Sequence, residues 1–351
     1  MKLPLPIEAR AAASDRRRLL TAVAALPLLG AGVRPARAQA AAAPRPIFVL
    51  NSLDADVSVI DPKSFATLKR IPTGKEPHHL YLTPDEKSVI VANAAGNTLT
   101  FIDPVTAEVQ RTLRNIVDPY HLRFSPDMRW FVTAANRLNH VDVYRWNPQD
   151  AEPLVLAGRI AASKVPSHLA IDSRSQVVYV SLQDSDELTA IELATPKRLW
   201  TVKVGRMPAD LFLTADDKTL LVALTGDRFV EAWDLGADPA SPPRLRQRVA
   251  TGAGAHAFRA RGDKRHVFVS NRVANTISLL DTQTLEVKAE YPAPGGPDCM
   301  ELLADGRTLL VSSRWARKLT FIDTEARKVV RQVEVGRSPH GVWTLDHAPR
   351  Q

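Results

Sequence analysis

The sequence has one cysteine in 351 residues, Cys299. A single thiol excludes an intrachain disulfide framework and any zinc module built from several cysteines. Long apolar runs are also lacking. The longest candidate, Leu19 to Val33, is too short and too interrupted by Gly and Pro to span a bilayer as a helix. No Gly-x-Ser-x-Gly, phosphate loop or dinucleotide fingerprint occurs, so those signatured chemistries find no support. A basic block is missing from most of the chain. The first 38 residues hold seven basic and two acidic side chains, so they carry five of the eight net positive charges, and three remain for the other 313 residues. The surplus of positive charge belongs to the start, and no nucleic-acid partner is expected. Apolar content of 45% argues against disorder.

What the start does hold is an export pattern. A charged stretch precedes Leu19, the apolar run follows, and Ala36-Arg37-Ala38 supplies a small-x-small end before Gln39, with Ala38-Gln39-Ala40 as the alternative. Arg16-Arg17, followed by Arg18-Leu19-Leu20, resembles a twin-arginine signal, which implies export of an already folded chain. The expected division is a signal peptide over 1–38, a short linker over 39–46 and one folded domain over 47–348. The mature protein is expected to be periplasmic, monomeric and without a membrane span.

An internal repeat dominates that domain. One marker is a recurring Pro: Pro77, Pro119, Pro166, Pro208, Ala255 in the same slot, Pro297 and Pro339, with steps of 42, 47, 42, 47, 42 and 42. A second marker is the acid closing an alternating run: Asp61, Asp103, Arg145 in the odd slot, Glu192, Asp234, Asp281 and Asp323, with steps of 42, 42, 47, 42, 47 and 42. Two independent markers give one period. The two five-residue insertions fall in turn-rich stretches around Asn147-Pro148 and Gly236–Pro243. Each unit reads as four short strands separated by Gly, Asn, Asp and Pro turns, as in Leu80–Thr83, Ser88–Asn93, Leu99–Asp103 and Glu108–Leu113. No long helical period stands outside the start. A four-strand unit repeated around a ring is a β-propeller. Six units are complete. The seventh is split between Ile47–Asn51, Val57–Ile60 and Thr67–Ile71 at one end and Gly341–Leu345 at the other. The predicted fold is therefore all-β: a seven-bladed β-propeller of four-stranded antiparallel blades, its ring closed by the C-terminal inner strand joining the N-terminal blade.

Val335-Gly336-Arg337-Ser338-Pro339-His340-Gly341-Val342 and Val204-Gly205-Arg206-Met207-Pro208 resemble the turn of the YVTN repeat. Val91-Ala92-Asn93 with Asn97-Thr98-Leu99, and Val269-Ser270-Asn271 with Asn275-Thr276-Ile277, resemble its strand-turn-strand half. The domain is similar to YncE-like periplasmic propellers, within the wider group that includes haem-d1 (cytochrome d1-like) and quinoprotein-dehydrogenase propellers. The resemblance implies an architecture, and propellers host many activities.

The residue after the Pro slot is His78, Tyr120, Ser167, Ala209, His256, Asp298 and His340 around the ring. The next is His79, His121, His168, Asp210, Ala257, Cys299 and Gly341. Six of nine histidines fall in these fourteen positions, where random placement would leave about 0.4. In such blades the Pro slot opens the innermost strand, so these residues gather at one mouth of the central channel. Imidazole suits copper, zinc and iron, with carboxylate or thiolate as co-ligand. Consecutive strand residues point oppositely, so two separate sets are expected. One is a metal set, His79, His121, His168 and Asp210. The other is a cofactor-binding set, His78, His256, Asp298 and His340. The ring of imidazoles resembles the copper-cluster site of nitrous oxide reductase, although no cupredoxin domain accompanies it. The plainer alternative is a wet channel lined by hydrogen-bonded turn histidines. His140, His266 and His347 lie outside the slots and are expected at the surface.

Lys75, Lys164, Arg206 and Arg337 are expected to form a basic rim. Asp85, Asp127, Asp216, Asp263 and Asp305 read as turn formers, and Cys299 as a small buried group. The first functional reading is a non-catalytic binding or accessory protein with a small-molecule or metal ligand at the mouth. The second is a metal-dependent oxidoreductase or lactonase-like hydrolase, with Asp298 or His340 as base. The third is a scaffold for a periplasmic protein partner.

Overall fold

A computed structural model describes residues 45–350, and the signal-like start lies outside them. Among the described residues are 28 strands in seven four-stranded antiparallel sheets, plus two single-turn 3-10 helices at Ala94–Gly96 and Gln183–Ser185. Among the described residues no helix is long and apolar enough to cross a membrane. Six sheets take their four strands in chain order. The seventh joins the two ends: Pro339–Thr344 pairs with Ile47–Asn51, which continues into Asp56–Ile60 and Thr67–Pro72. The expected seven-bladed ring and its split blade are both present.

The inner strands are Pro77–Leu82, His121–Phe124, Pro166–Ile171, Pro208–Leu213, Ala255–Ala260, Pro297–Leu302 and Pro339–Thr344. Each touches the next, and the last touches the first, so seven strands surround one axis. Blades pack face to face. Ile90, Leu99 and Phe101 of one blade bury against Leu122, Phe131 and Tyr144 of its neighbour. Both faces of a middle strand are therefore covered, which is why Val89–Asn93 is wholly buried and its first four residues are apolar without alternation. The outer strand Val109–Arg114 is almost wholly exposed and carries the polar residues.

The turn residues behave as their chemistry requires. Asp85, Asp127, Asp216, Asp263 and Asp305 accept backbone N–H bonds within their own turns. Asp61, Asp103, Asp281 and Asp323 do the same for the outer hairpins. The residue before each Pro slot is left-handed at Glu76, Asp118, Val165, Met207, Gly254, Gly296 and Ser338. This kink turns the chain from the rim of one blade into the inner strand of the next.

Candidate functional site

The pleat alone would send consecutive residues to opposite faces, but the inner strands escape that rule. Pro77 pairs with Asn93 and His79 with Ala92, so His78 is one residue too many. The same slip occurs after Pro166, Pro208, Ala255, Pro297 and Pro339. In the remaining inner strand Tyr120 and His121 both meet Ala134. Each slip is a β-bulge, which leaves a residue outside the ladder and re-aims its side chain. The amides it displaces are caught by the middle strand: Ser181 Oγ accepts the His168 N–H and Ser270 Oγ the Ala257 N–H, each at 3.0 Å.

Both histidine slots consequently face the channel, and the expectation of two separate sets is corrected. His79 packs on His121 at 4.3 Å between ring centroids, on His168 at 5.1 Å and on His340 at 4.8 Å. His78 stacks on His340 at 3.6 Å and on Tyr120 at 3.9 Å. His168 reaches His256 at 5.6 Å. All six imidazoles are buried. Their ligand atoms converge in three groups: His78, His79 and His340; His79, His121 and His168; and His256, Asp298 and His340. Asp210 joins none of them. Its oxygens accept the N–H groups of Leu211 and Phe258, both at 2.9 Å. It lines a cavity of about 130 Å³ that His79, His121 and His168 also line, on the side away from the Pro slots.

A carbonyl partner fixes the tautomer of His340, and the tautomers of His168 and His256 are assigned to agree with it. Ser167 Oγ donates to Gln183 Oε1 and so accepts the Nδ1–H of His168, at 2.8 Å. Thr225 Oγ1 donates to the Ala255 carbonyl and accepts the Nδ1–H of His256, at 3.2 Å. The carbonyl of His78 accepts the Nδ1–H of His340 at 2.8 Å. Each of these rings keeps a bare Nε2 lone pair. Those of His256 and His340 lie 3.1 and 3.3 Å from one oxygen, Asp298 Oδ1, without hydrogen-bond alignment. Asp298 Oδ2 takes Arg272 at 2.6 Å and Arg314 at 3.2 Å.

Burial holds all six imidazoles below their ordinary range, and that of His256 is lowered to about 4 by burial and by Arg272. They are neutral at pH 7. Burial alone would raise the Asp298 carboxyl, but the Arg272 guanidinium overrules it and holds the carboxyl well below its usual range. Asp210 is raised by burial. Burial and Asp298 push the Cys299 thiol well above its usual range, and its Sγ lies 3.5 Å from His340 Nδ1. Asp298 and His340, the expected bases, do not line the cavity.

Sequence reasoning missed the residues that support these groups. Ser52, Gln183, Thr225, Arg272 and Arg314 occupy one further slot of the same repeat, just past the middle strand. Four of them bond the axial side chains, and Ser52 bonds the Pro77 carbonyl. Two positions beyond the second histidine slot stand Tyr81, Arg123, Phe212, Arg259 and Glu301, which line the cavity. Applying the repeat period to every position, rather than to histidines alone, would have found both rings. His140 is buried beside Asp142 rather than at the surface, because it opens a third-position strand with both faces covered. His266 is partly exposed and bonded to Asp263, and His347 is partly buried. Of the basic rim, Arg206 and Arg337 pair with Asp227 and Asp54, while Lys75 and Lys164 are exposed.

Residues 10–350 match the YNCE-like beta-propeller family. The chain belongs to that family. An uncharacterised protein named YncE from Salmonella typhimurium is 28% identical over 167 residues, so the match spans 46% of this chain and 46% of that relative, about half its length. The periplasmic gluconolactonase PpgL of Pseudomonas aeruginosa superposes with a TM-score of 0.72 at 17% identity, covering 85% of this chain and 98% of that one. The dihydro-heme d1 dehydrogenase NirN, solved in complex with DHE, gives 0.63 at 16% identity over 86% of this chain and 75% of its own. At such identities the shared property of this YncE-like propeller and those enzymes is the fold.

Proposed function

We propose that this YncE-like propeller is an exported, non-catalytic binding protein whose axial channel holds a transition-metal ion, or a small ligand that carries one. One observation carries the reading: two imidazole Nε2 atoms, bare in the tautomers assigned above, face an ionised carboxylate oxygen at 3.1 and 3.3 Å in a buried setting. Three electron-rich atoms brought together out of water repel unless a cation joins them. A proton is the weaker candidate, since burial disfavours the imidazolium. A metal with bonds of about 2.0–2.1 Å and near-tetrahedral angles sets its ligand atoms about 3.3 Å apart. Donors on the far ring nitrogens, here the Nδ1–H bonds of His256 and His340, are the usual outer support of such ligands. Copper, zinc or iron suits two imidazoles and a carboxylate. The trio His79, His121 and His168 is a second place for an ion in the same cluster. Export to the periplasm is supported by the signal-like start and by the compartment in the gluconolactonase's name.

The cavity beside the trio favours a second reading. A metal held by three imidazoles with a position open toward that space would serve a metal-dependent hydrolase or oxidoreductase.

The test is metal content. The exported protein, purified without a histidine tag, is expected to carry a stoichiometric transition metal by plasma mass spectrometry. A His256→Ala/His340→Ala double variant loses it if the ion sits with Asp298, and a His79→Ala/His121→Ala variant if it sits with the trio. No metal, and no affinity for copper, zinc or iron under any loading condition, would overturn the proposal.

A further inference from the structure

The charged side chains that line the cavity or pair with axial residues are five arginines (Arg123, Arg259, Arg272, Arg314 and Arg350) and three carboxylates (Asp210, Asp298 and Glu301). The arginines outnumber the acids by two before any metal is added. Four of the five are committed. Arg272 and Arg314 hold Asp298, while Arg259 and Arg350 hold Glu301. Arg259 also donates three of its other four N–H groups to the carbonyls of Ala260, Ala348 and Pro349.

Arg123 differs. Its Nε donates to the Leu169 carbonyl at 3.1 Å, and its guanidinium lies 4.6 Å over the Tyr81 ring. These two contacts orient the group, yet it forms no ion pair with any described carboxylate. Asp210, the acid of the cavity wall that no arginine pairs with, has both oxygens engaged by backbone N–H groups. Arg123 thus brings an oriented charge without an ion-pair partner to a cavity that the imidazole trio also lines.

We infer that this cavity is a binding site for a small oxyanion, of the carboxylate class or of like charge and size, with Arg123 as its receptor. A planar guanidinium fork matches a carboxylate or phosphate in two parallel bonds. The space of about 130 Å³ sets the size, because a cavity of about 150 Å³ holds benzene. The ligand therefore has roughly six heavy atoms. The site rests on the protein's own charges and needs no metal. If the metal reading of the channel holds, the oxyanion is positioned to complete the coordination of an ion at the trio.

Calorimetric titration of the metal-free, untagged protein at low ionic strength tests this, with oxalate, acetate and inorganic phosphate as probes. Saturable one-to-one binding of at least one probe is expected. Arg123→Gln should weaken it tenfold or more, the loss of a charge-assisted pair, and Arg123→Lys should retain part. Thermal midpoints of the ligand-free variants report whether the fold survives. If Arg123→Gln does not fold, Arg123→Lys carries the test through reduced affinity and lost discrimination between planar oxalate and phosphate. Equal affinity in the folded Gln variant overturns the assignment, as does no binding of any probe to metal-free and metal-loaded protein alike. Metal uptake without anion binding rejects this site alone, and anion binding without metal uptake rejects only the metal reading.

Discussion

Ser167 illustrates how a neutral hydroxyl decides the chemistry of a buried imidazole. Its proton goes to Gln183, so its oxygen takes the Nδ1–H of His168 and the Nε2 lone pair is left for a ligand. Without that oxygen the ring is free to turn or to exchange tautomer, and the donor atom is no longer held ready. Ser167→Ala is therefore expected to lower metal affinity by about ten- to a hundredfold, the usual cost of losing an outer partner. Competition with a chromophoric chelator measures it, and far-ultraviolet circular dichroism checks the fold. Unchanged affinity would place the ion among His256, Asp298 and His340 alone. Asp298 works by the opposite route. Two arginines hold one of its oxygens, so the carboxylate stays charged out of water and turns its other oxygen to the imidazoles. Neither role is visible in a histidine count, because Ser, Thr and Arg are common enough at turns to pass as solvated residues.

At the scale of the element, the inner strand of each blade combines a left-handed entry residue, a Pro or Ala, and a bulge. A β-branched residue is poorly suited to the entry position, where Cβ crowds the carbonyl oxygen. Val165 sits there with φ 58°, while Gly254 and Gly296 fill the same slot in two other blades. Val165→Gly should consequently raise stability by about 1 kcal/mol, the relief of strain exceeding the extra chain entropy. Denaturant unfolding would read this as a higher midpoint at constant slope. A lower midpoint would mean that the side chain packs well enough to outweigh its backbone strain. This element also marks what the sequence could and could not disclose. The 42-residue step, the Pro slot and the closing acids encode blade number, strand order and the split blade, because turn chemistry and apolar patterning are local. The bulge is not local. It depends on the register between two strands, and strict alternation assigns His78 and His79 to opposite faces until that register is known. That register is what lets His79 meet His78 and His340 across the two slots, while Asp210, in the trio's own slot, turns to backbone N–H groups instead.

The whole ring stands or falls with the join between its ends. Strand Pro339–Thr344 completes the sheet begun by Ile47–Asn51, which removes the open edges a linear array of blades would leave. Side chains reinforce the join. Asn51 Oδ1 accepts the Gly336 N–H at 2.9 Å, an approach so close that a Cβ on Gly336 would lie 2.5 Å from Asn51 Cγ. Asp54 accepts the Arg337 N–H at 2.7 Å, pairs with the Arg337 guanidinium, and takes Arg70 at 2.8 Å. Burial opposes ionisation of Asp54, but the bonds from Arg337 and Arg70 outweigh it and lower its pKa from 3.8 to about 2. A carboxyl depressed in the folded state stabilises above its unfolded pKa, and that stability is lost as pH falls toward the folded value. Allowing for partial contact with solvent, the contribution is about 1–2 kcal/mol. Asp54→Asn should destabilise the protein by that amount at neutral pH. The gap between wild type and variant should shrink below about pH 4 and close near pH 2. Guanidinium unfolding of both proteins across that range makes the comparison, and taking the difference cancels the carboxylates they share, such as Asp281 and Asp323. A gap that stays constant with pH would mean that Asp54 holds the ends of the ring by shape alone, and that its charge adds nothing to closure.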